Sequence, residues 1–439
     1  MAEICRNSYV TIAGASSKDS REGLGLNRPR QKGVTLKGTT SSGKPYSIRA
    51  QCAIQPQCPI DEKTPKDGIQ HPITPTTSIR DDFGGVFGVF PLLTRGWVFQ
   101  ERLLSPRVLH FGKDELLWDC RESMLCECGQ RPPDLPFNQV TVRSSRDEDS
   151  ELLPYKWRKM AEFYCALNLT YPKDKLPALS GLAKQVREHK GGAAYLAGLW
   201  SDSLDLDLVW IPYGPQIPRT DEYIAPSWSW AGVGRRIVYP NLWRAKEDRP
   251  SVKVLDVYFE LIHAACSPSS TDPTGRVAGG TLVLEGPLSA ISVPGDRDGE
   301  FRHGETPFSL CTGRDHEDIL SNWRLPFSEK RRRVFLDHPD EYRRLVDNNQ
   351  GNIYGFRLTR VEIAEDSIYF LVLDAREIIQ VEFSLLLERV DDGGDGVFRR
   401  IGILADGRVI DGNRGDVDSW RKEPSCFESN ADRARITIL

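Results

Sequence analysis

The sequence lacks most features that would assign it early to a class. It has ten cysteines in 439 residues, too few for a disulfide scaffold and typical of a reducing compartment. No apolar run approaches the roughly 20 residues of a membrane helix. The start, residues 1–17, has no basic head followed by an apolar stretch, so we expect no signal peptide. No repeat with a period of about 20–50 residues is visible, which disfavours solenoids and propellers.

An excess of charge of one sign is also missing. Lys and Arg number 58 against 62 Asp and Glu, which gives a formal net charge of −4. This balance gives no reason to expect a nucleic-acid partner or an anionic membrane surface. With 39% apolar residues and ten tryptophans the chain can form sizeable cores, and its length indicates two or three folding units. We expect a cytoplasmic protein.

The residue pattern changes along the chain and predicts an α+β fold. Residues 1–130 combine helical and strand patterns, and residues 131–150 are polar and contain prolines, which is typical of a linker. Helical periodicity dominates residues 151–235. Residues 236–439 are rich in strand patterns, and a polar stretch at 292–350 interrupts them like an insertion.

The clearest local pattern in the first region lies between Thr94 and Cys120. We expect Thr94 to cap a helix that runs to Leu104 and stops before Pro106. Trp97, Glu101 and Leu104 share one face of this helix by their spacing. Two strands joined by a turn are predicted to follow, at residues 107–111 and 115–120.

Three helices are predicted in the 151–235 region. The first carries an apolar stripe of Trp157, Met160, Ala161 and Tyr164, and the second one of Leu176, Leu179, Leu182, Ala183 and Val186. Asp174 is the expected N-cap of the second helix. The spacing of Tyr195, Leu199 and Leu204 suggests a third helix.

Two short patterns resemble functional motifs but lack the context that those motifs need. Residues 38–44 have the spacing of a phosphate-binding P-loop, but Pro45 replaces the hydroxyl residue that would bind magnesium, and a strand rather than a helix is predicted next. We therefore predict a flexible loop there. The basic run at residues 330–333 is predicted to be a solvated charge run, with a nuclear-localisation or polyanion patch as the alternative.

Possible metal ligands are poorly arranged. Cys120, Cys126, Cys128 and Cys165 do not form the two closely spaced pairs of a structural zinc site. His110 lies inside an alternating strand, where we expect a structural histidine rather than a base. The sequence therefore predicts no metal and no cofactor.

Several stretches together resemble one family. Residues 93–107, with residues 109–111 and 118–120, strongly resemble the last motif of the fungal heterokaryon-incompatibility (HET) domain. The matching positions are Arg95, Gly96, Trp97, Gln100, Glu101, Leu104, Ser105, Arg107, Phe111, Trp118 and Cys120. Residues 1–13 are similar to the stretch before that motif, although the family commonly has tyrosine at the position of Cys5. The usual companion region is resembled by residues 171–181, 195–200, 225–231 and 399–402.

The resemblance implies that residues 1–130 are the C-terminal part of a HET domain. The two earlier motifs of the family are absent, so the chain is expected to be an N-terminally truncated gene model or a natural fragment. The family's domain is a compact α/β unit with a suggested likeness to TIR domains. Without its first strands, the partial unit is expected to have an incomplete core and an unpaired strand edge.

The function implied by the resemblance is fungal non-self recognition and programmed cell death, with the chain acting as a non-enzymatic effector through protein contacts. In this hypothesis Gln100 and Glu101 are structural, Trp97 fills the core, and Arg95 and Arg107 reach carboxylates or carbonyls around it. Glu101 is expected to be buried in an ion pair with a neighbouring arginine, Arg95 or Arg102.

Two alternatives remain open. The chain could be a TIR-like NAD-cleaving enzyme in which Glu101 is the catalytic carboxylate and Trp97 stacks on the base, which would place Glu101 in a pocket wall with a raised pKa. It could also be an inactive truncated paralogue. Trp228 and Trp230 are expected to pack between the helical and β regions from an extended segment, with ligand stacking as the alternative.

Overall fold

The computed structural model forms two compact units, an N-terminal unit of Met1–Thr141 and a C-terminal unit of Val142–Leu439. It describes residues 1–24, 34–40, 42–50, 90–112, 116–127, 148–213, 222–234, 236–239, 252–292, 300–303, 306–311, 332–338, 344–345, 352–363, 377–390, 394, 396–411 and 432–439. Helices and extensive strands are both present, which confirms the α+β fold class. None of the described helices combines the length and the hydropathy needed to cross a bilayer.

The N-terminal unit contains two short helices and six strands among its described residues. They are α1 (Ala2–Arg6), β1 (Thr11–Ala13), β2 (Val34–Thr39), β3 (Pro45–Ala50), α2 (Gly96–Leu104), β4 (Arg107–Phe111), β5 (Leu116–Cys120) and β6 (Met124–Cys126). Four strands form a sheet in the order β1-β4-β5-β6, with β1 parallel to β4 and the other pairs antiparallel. Strands β2 and β3 form a separate antiparallel hairpin.

Alternating burial gives the four-stranded sheet two different faces. Along β4, Val108 and His110 are buried while Leu109 and Phe111 are only half-buried. We call the side with Val108 and His110 the inner face and the other side the outer face. Helix α2 lies on the inner face, because Arg102 of that helix reaches Asp119 of β5.

Helices and short strands alternate in the first part of the C-terminal unit. They are α3 (Glu148–Cys165), α4 (Ser180–His189), β7 (Tyr195–Leu196), β8 (Leu199–Trp200), α5 (Leu204–Asp207), β9 (Ile211–Tyr213) and β10 (Arg236–Val238). Both predicted apolar stripes are fully buried. Most of the predicted linker lies outside the described residues, but its last part is helical, because α3 begins at Glu148.

Two helix predictions in this region were wrong. Asp174 does not cap a helix: 3-10 turns at Pro172–Asp174 and Pro177–Leu179 precede α4, and the Asp174 carboxylate instead pairs with Arg276. The predicted third helix is a β7–β8 hairpin. Its turn places Ala197 at φ +45° and Gly198 at φ +101°, a left-handed conformation that ends helical periodicity.

Ten strands are present in the remaining described residues of the C-terminal unit. They are β11 (Val252–Val257), β12 (Glu260–Pro268), β13 (Val277–Ile291), β14 (Glu300–His303), β15 (Thr306–Cys311), β16 (Arg332–Leu336), β17 (Ile353–Ile363), β18 (Glu377–Arg389), β19 (Val397–Asp411) and β20 (Asp432–Ile438). Strands β13, β17, β18, β19 and β20 pair in a closed ring. The expected β-rich second half is therefore present.

The interpretation of residues 292–350 as an insertion needs correction. Strands β14, β15 and β16 lie within it and extend the same sheet through the pairing of β16 with β19. Val334 and Leu336 of β16 are buried in a core cluster. These short strands were not predicted because the segments that separate them are polar. A further strand predicted at residues 368–373 lies outside the described residues.

Candidate functional site

The motif helix α2 begins later than predicted. A 3-10 turn at Pro91–Thr94 precedes it, Arg95 is its N-cap residue and Gly96 is its first residue. The Thr94 hydroxyl donates to the carbonyl of Pro91 at 2.8 Å, so it closes the turn instead of capping the helix. Pro91 at the start of that turn explains the difference, because its ring fixes the backbone there.

Glu101 does not form the arginine ion pair that was expected. Its side chain is half-buried, and no carboxylate contact with an arginine is present among the described residues. Burial raises the pKa of Glu101, although the positive charge of Arg95 opposes the shift. The pKa of Cys5 in α1 is also raised, by burial first and by the Glu101 charge second. Glu101 of α2 is therefore a partly desolvated carboxylate, close enough to α1 for its charge to act on Cys5.

The arginine beside Glu101 has another partner. Arg102 Nε donates to Asp119 Oδ2 at 2.8 Å, and His110 Nε2 lies 3.5 Å from the same oxygen. All three side chains are buried on the inner face of the sheet. The Arg102–Asp119 pair was not predicted, although Asp119 occupies an inward position of a strand, where a carboxylate needs a cation.

Electrostatics in this cluster favour an ionised Asp119 and a neutral His110. Burial alone would raise the pKa of Asp119, but His110 and Arg102 together outweigh it and hold that pKa below its ordinary value. Burial lowers the pKa of His110 more strongly than Asp119 raises it. His110 is buried in the interior, as expected of a structural histidine, but its ring nitrogens form no hydrogen bonds with the described residues.

Ser105 joins the end of α2 to strand β1. Its hydroxyl donates to the Glu101 carbonyl at 2.6 Å and lies 2.8 Å from the Thr11 hydroxyl. The Thr11 hydroxyl in turn lies 3.2 Å from that of Ser8. These short polar contacts fix the start of β4 beside β1, so Ser105 has a structural role.

The remaining motif residues divide between core and surface. Gly96, Gln100 and Leu104 are buried, whereas Trp97 is only half-buried and does not fill the core as expected. Arg95 is exposed. Arg107 and Phe111 belong to the outer face of β4, and Trp118 and Cys120 to the outer face of β5.

Arg107 is held against the start of β1. Its guanidinium lies 5.3 Å from the centre of the Tyr9 ring, and its Nη1 is 3.4 Å from the Tyr9 carbonyl. Arg107 was expected to reach a carboxylate or carbonyl near Trp97. It does reach a backbone carbonyl, but that carbonyl belongs to Tyr9. Cys120, opposite Arg107 in register, has a lowered pKa because hydrogen bonds from the Glu122–Ser123 turn outweigh the opposing effect of burial.

The described residues of the P-loop-like segment belong to the β2–β3 hairpin. Within it, Gly43 donates to the Thr40 carbonyl at 2.9 Å and adopts φ +79°. A strand follows, as predicted, and the described residues between the two strands form a turn. No group of three or more metal-ligating side chains is present among the described residues. Cys128, Lys330 and Arg331 lie outside them, whereas Arg332 and Arg333 of the basic run begin strand β16.

The companion stretches of the C-terminal unit converge on one buried junction. The Gly198 carbonyl accepts hydrogen bonds from the indole nitrogens of Trp157, at 2.8 Å, and Trp230, at 3.1 Å. Ser229 donates to the Ala197 carbonyl at 2.6 Å. Trp228 and Trp230 are fully buried, so neither ring is accessible for ligand stacking. The segment is a turn and not the extended strand that was expected.

Arg400 connects this junction to the β-rich part of the C-terminal unit. Its guanidinium donates to the carbonyls of Leu208 and Trp210, both at 2.7 Å, and to the Asp337 carboxylate. It also stacks on the Trp210 ring at 3.3 Å. Its backbone nitrogen donates to the Ser227 hydroxyl at 3.0 Å. The stretches at 225–231 and 399–402 therefore belong to one structural junction.

A buried acid lies near this junction and was not found from the sequence. Glu162 of α3 accepts a hydrogen bond from the backbone nitrogen of Tyr239, just after β10. Burial raises the pKa of Glu162 to about 7, despite the positive charges of Lys159 and Arg158. Its position next to the buried stripe of α3 is the sequence signal that could have identified it.

Comparison of the chain with protein-family models, with curated proteins and with solved structures gave no match. Membership of the HET family therefore stays a prediction from the motif residues. The geometry identifies two candidate functional sites in the N-terminal unit: the half-buried carboxylate of Glu101 and the outer face of the sheet. The buried clusters around Asp119 and Arg400 are structural.

Proposed function

We propose that this chain is a HET-family effector in fungal non-self recognition and programmed cell death, acting in the cytoplasm through contacts with other proteins. The observation that carries the proposal is that polar residues of the 93–107 stretch, the matching position Ser105 and the intervening Arg102, form their contacts inside the fold. Arg102 and Ser105 bond to Asp119 and Thr11 inside the N-terminal unit. The acid and base that could do chemistry together, Asp119 and His110, are buried on the inner face. This arrangement supports a role for the folded N-terminal unit in binding other proteins.

The test is inducible expression of the full chain in a fungal host, scored for viability at verified protein levels. An effector that acts through contacts should kill cells, and Glu101→Gln should kill equally well, because Glu101 makes no ion pair within the described residues. Asp119→Asn should abolish killing by disrupting the Arg102 pair. Normal viability at high expression would contradict the proposal and favour an inactive paralogue.

A second candidate function is cleavage of NAD or a related nucleotide with Glu101 as the catalytic carboxylate. One observation favours it: the pKa of Glu101 is raised by burial, and the carboxylate has no arginine ion pair among the described residues. A raised pKa is typical of carboxylates that transfer protons.

Purified chain incubated with NAD distinguishes the two functions. Enzymatic cleavage should release nicotinamide and be lost in Glu101→Gln, while Glu3→Gln, a change at an exposed carboxylate of α1, should leave it intact. Absence of nicotinamide release from the folded protein would eliminate this candidate and leave the contact-based function standing.

A further inference from the structure

The outer face of the N-terminal sheet carries a continuous apolar row. Strand register places Ile12 of β1 beside Leu109 of β4, Leu109 beside Trp118 of β5, and Trp118 beside Leu125 of β6. One apolar side chain from each strand therefore lies in a line across the whole sheet. Phe111 and Leu116 form a second apolar pair next to the row.

This row remains accessible to solvent. Ile12 is 57% exposed and Leu125 is 56% exposed, and Leu109 and Trp118 between them are half-buried. The inner face differs because α2 lies on it. Val108 and His110, the residues of β4 on that face, are each 2% exposed. A sheet with apolar residues on both faces usually has a layer of structure on each.

The size of the outer face fits one helix. Four strands at about 4.8 Å spacing span about 14 Å, and five residues at about 3.4 Å rise span a similar length. A helix with its side chains is about 10–12 Å wide, and three turns are about 16 Å long, so a single short helix would cover the face. A stable interface between two globular proteins buries about 800 Å² per partner, several times the roughly 200 Å² outline of this face.

A positive charge beside the row, next to Leu109 on β4, adds a requirement for the partner. Arg107 lies on the same face as Leu109 by strand alternation and is exposed. Its guanidinium contacts the Tyr9 ring and carbonyl, and it has no carboxylate partner in the part of the chain described. An acidic residue next to the apolar stripe of a bound helix would pair with it.

We propose that the outer face binds an amphipathic α-helix of a partner protein, whose apolar stripe covers the Ile12–Leu125 row and whose acidic residue pairs with Arg107. Trp118, near the centre of the face, is the expected anchor of the interface. This inference rests on the proposed contact-based function in that it gives the partner a chemical class. The binding face itself is argued from register, exposure and charge.

The probe is a fluorescein-labelled helical peptide of about 14 residues, with leucines at i, i+3, i+4 and i+7 and glutamates beside them. Anisotropy with the full chain should show saturable binding. Ile12→Glu and Leu125→Glu should each weaken it at least tenfold, and both sites are exposed enough for the variants to fold. The matched control is Val257→Glu, a change at an exposed apolar residue of β11, which should leave binding unchanged.

Charge reversal sharpens the same assay. Arg107→Glu should weaken binding of the glutamate peptide and strengthen binding of a lysine-substituted version. Absent binding, or binding that ignores all three outer-face variants, would overturn the proposal. Self-association of the chain that is lost in Ile12→Glu would also overturn it, with a second copy as the occupant. No cell-death readout enters, so a failed viability test leaves the binding result interpretable.

Discussion

Arg400 in the C-terminal unit and Glu101 in the N-terminal unit are both charged residues of motif stretches, yet their surroundings differ. Arg400 is buried and has two backbone carbonyls, one carboxylate and one aromatic ring around its guanidinium. Glu101 is half-buried and has no ion pair among the described residues. A buried charge with every partner in place supports the fold, whereas a carboxylate left without a partner is available for another role.

The largest expected effect comes from removing the Arg400 charge. Arg400→Met should destabilise the C-terminal unit by about 3–5 kcal/mol, because it takes the arginine from Asp337 and leaves two carbonyls unpaired. Urea denaturation followed by tryptophan fluorescence measures the loss. Arg399→Met, which alters the more exposed pair with Glu388, should cost less than about 1 kcal/mol. Equal losses would refute the special role of Arg400.

A second test perturbs the backbone packing of the same stretch, residues 399–402. In Gly402→Ala, the added Cβ would lie 2.4 Å from the Phe335 carbonyl oxygen of β16, which is backbone and cannot rotate away. We expect a loss of about 2–3 kcal/mol in the same denaturation assay. Gly279→Ala, where nothing lies within 4 Å of the added atom, should be neutral or slightly stabilising.

Glu162 should make the C-terminal unit less stable as pH rises. Its pKa in the folded state, about 7, is above the ordinary 4.5, so the stability it contributes is fully present below pH 4.5 and is lost as pH approaches 7. The change should be on the order of 2–3 kcal/mol. Hydrogen exchange of peptides from α3 at pH 5 and pH 7.5, corrected for intrinsic rates, measures it. Glu162→Gln should flatten the dependence, and an unchanged slope would exclude Glu162 as its source.

His110 should produce the opposite slope in the N-terminal unit. Burial lowers its pKa below the ordinary 6.5, so the unfolded chain binds more protons and stability falls as pH drops below 6.5. The slope is at most about 1.4 kcal/mol per pH unit. Hydrogen exchange of peptides covering β4 and β5 should show it, and His110→Leu should remove it. The low pKa of Asp119 acts only below about pH 4.

The smallest effect is expected at Glu101. Because its raised pKa means that the charged form is disfavoured in the folded state, Glu101→Gln at pH 7 should be neutral or slightly stabilising, within about 0.5 kcal/mol. Thermal denaturation measures this difference, with Glu3→Gln as the exposed control. A clear destabilisation would show that Glu101 is a structural residue like Arg400, and the contrast drawn above would fail.

Hydrophobic periodicity correctly predicted the helices and strands that form by burying one apolar face. The stripes of α3 and α4 are buried as expected, and the strand at Arg107–Phe111 has the predicted bounds. The β7–β8 hairpin was missed because its apolar spacing also fits a helix, and only the left-handed backbone at Gly198 distinguishes the two. Strand β16 was hidden by the polar segments around it.

The candidate site was harder to predict because its contacts join residues distant in sequence. No feature of the sequence around Arg102 indicates that its guanidinium pairs with Asp119 and not with the neighbouring Glu101. The pairing depends on α2 lying across the inner face, which is tertiary structure. The apolar row from Ile12 to Leu125 likewise depends on strand register, and the sequence shows its members only as separate apolar residues.

The closed ring of five strands has a consequence for synthesis of the chain. Strand β13 ends at Ile291, but one of its two ring neighbours, β20, begins at Asp432. At about 5–20 residues per second, a ribosome takes roughly 7–28 s to make the residues between them. Throughout that interval Leu282 and Leu284, buried in the finished protein, lack their partners on β20. The nascent C-terminal unit is therefore a natural client for chaperones that shield an incomplete β ring.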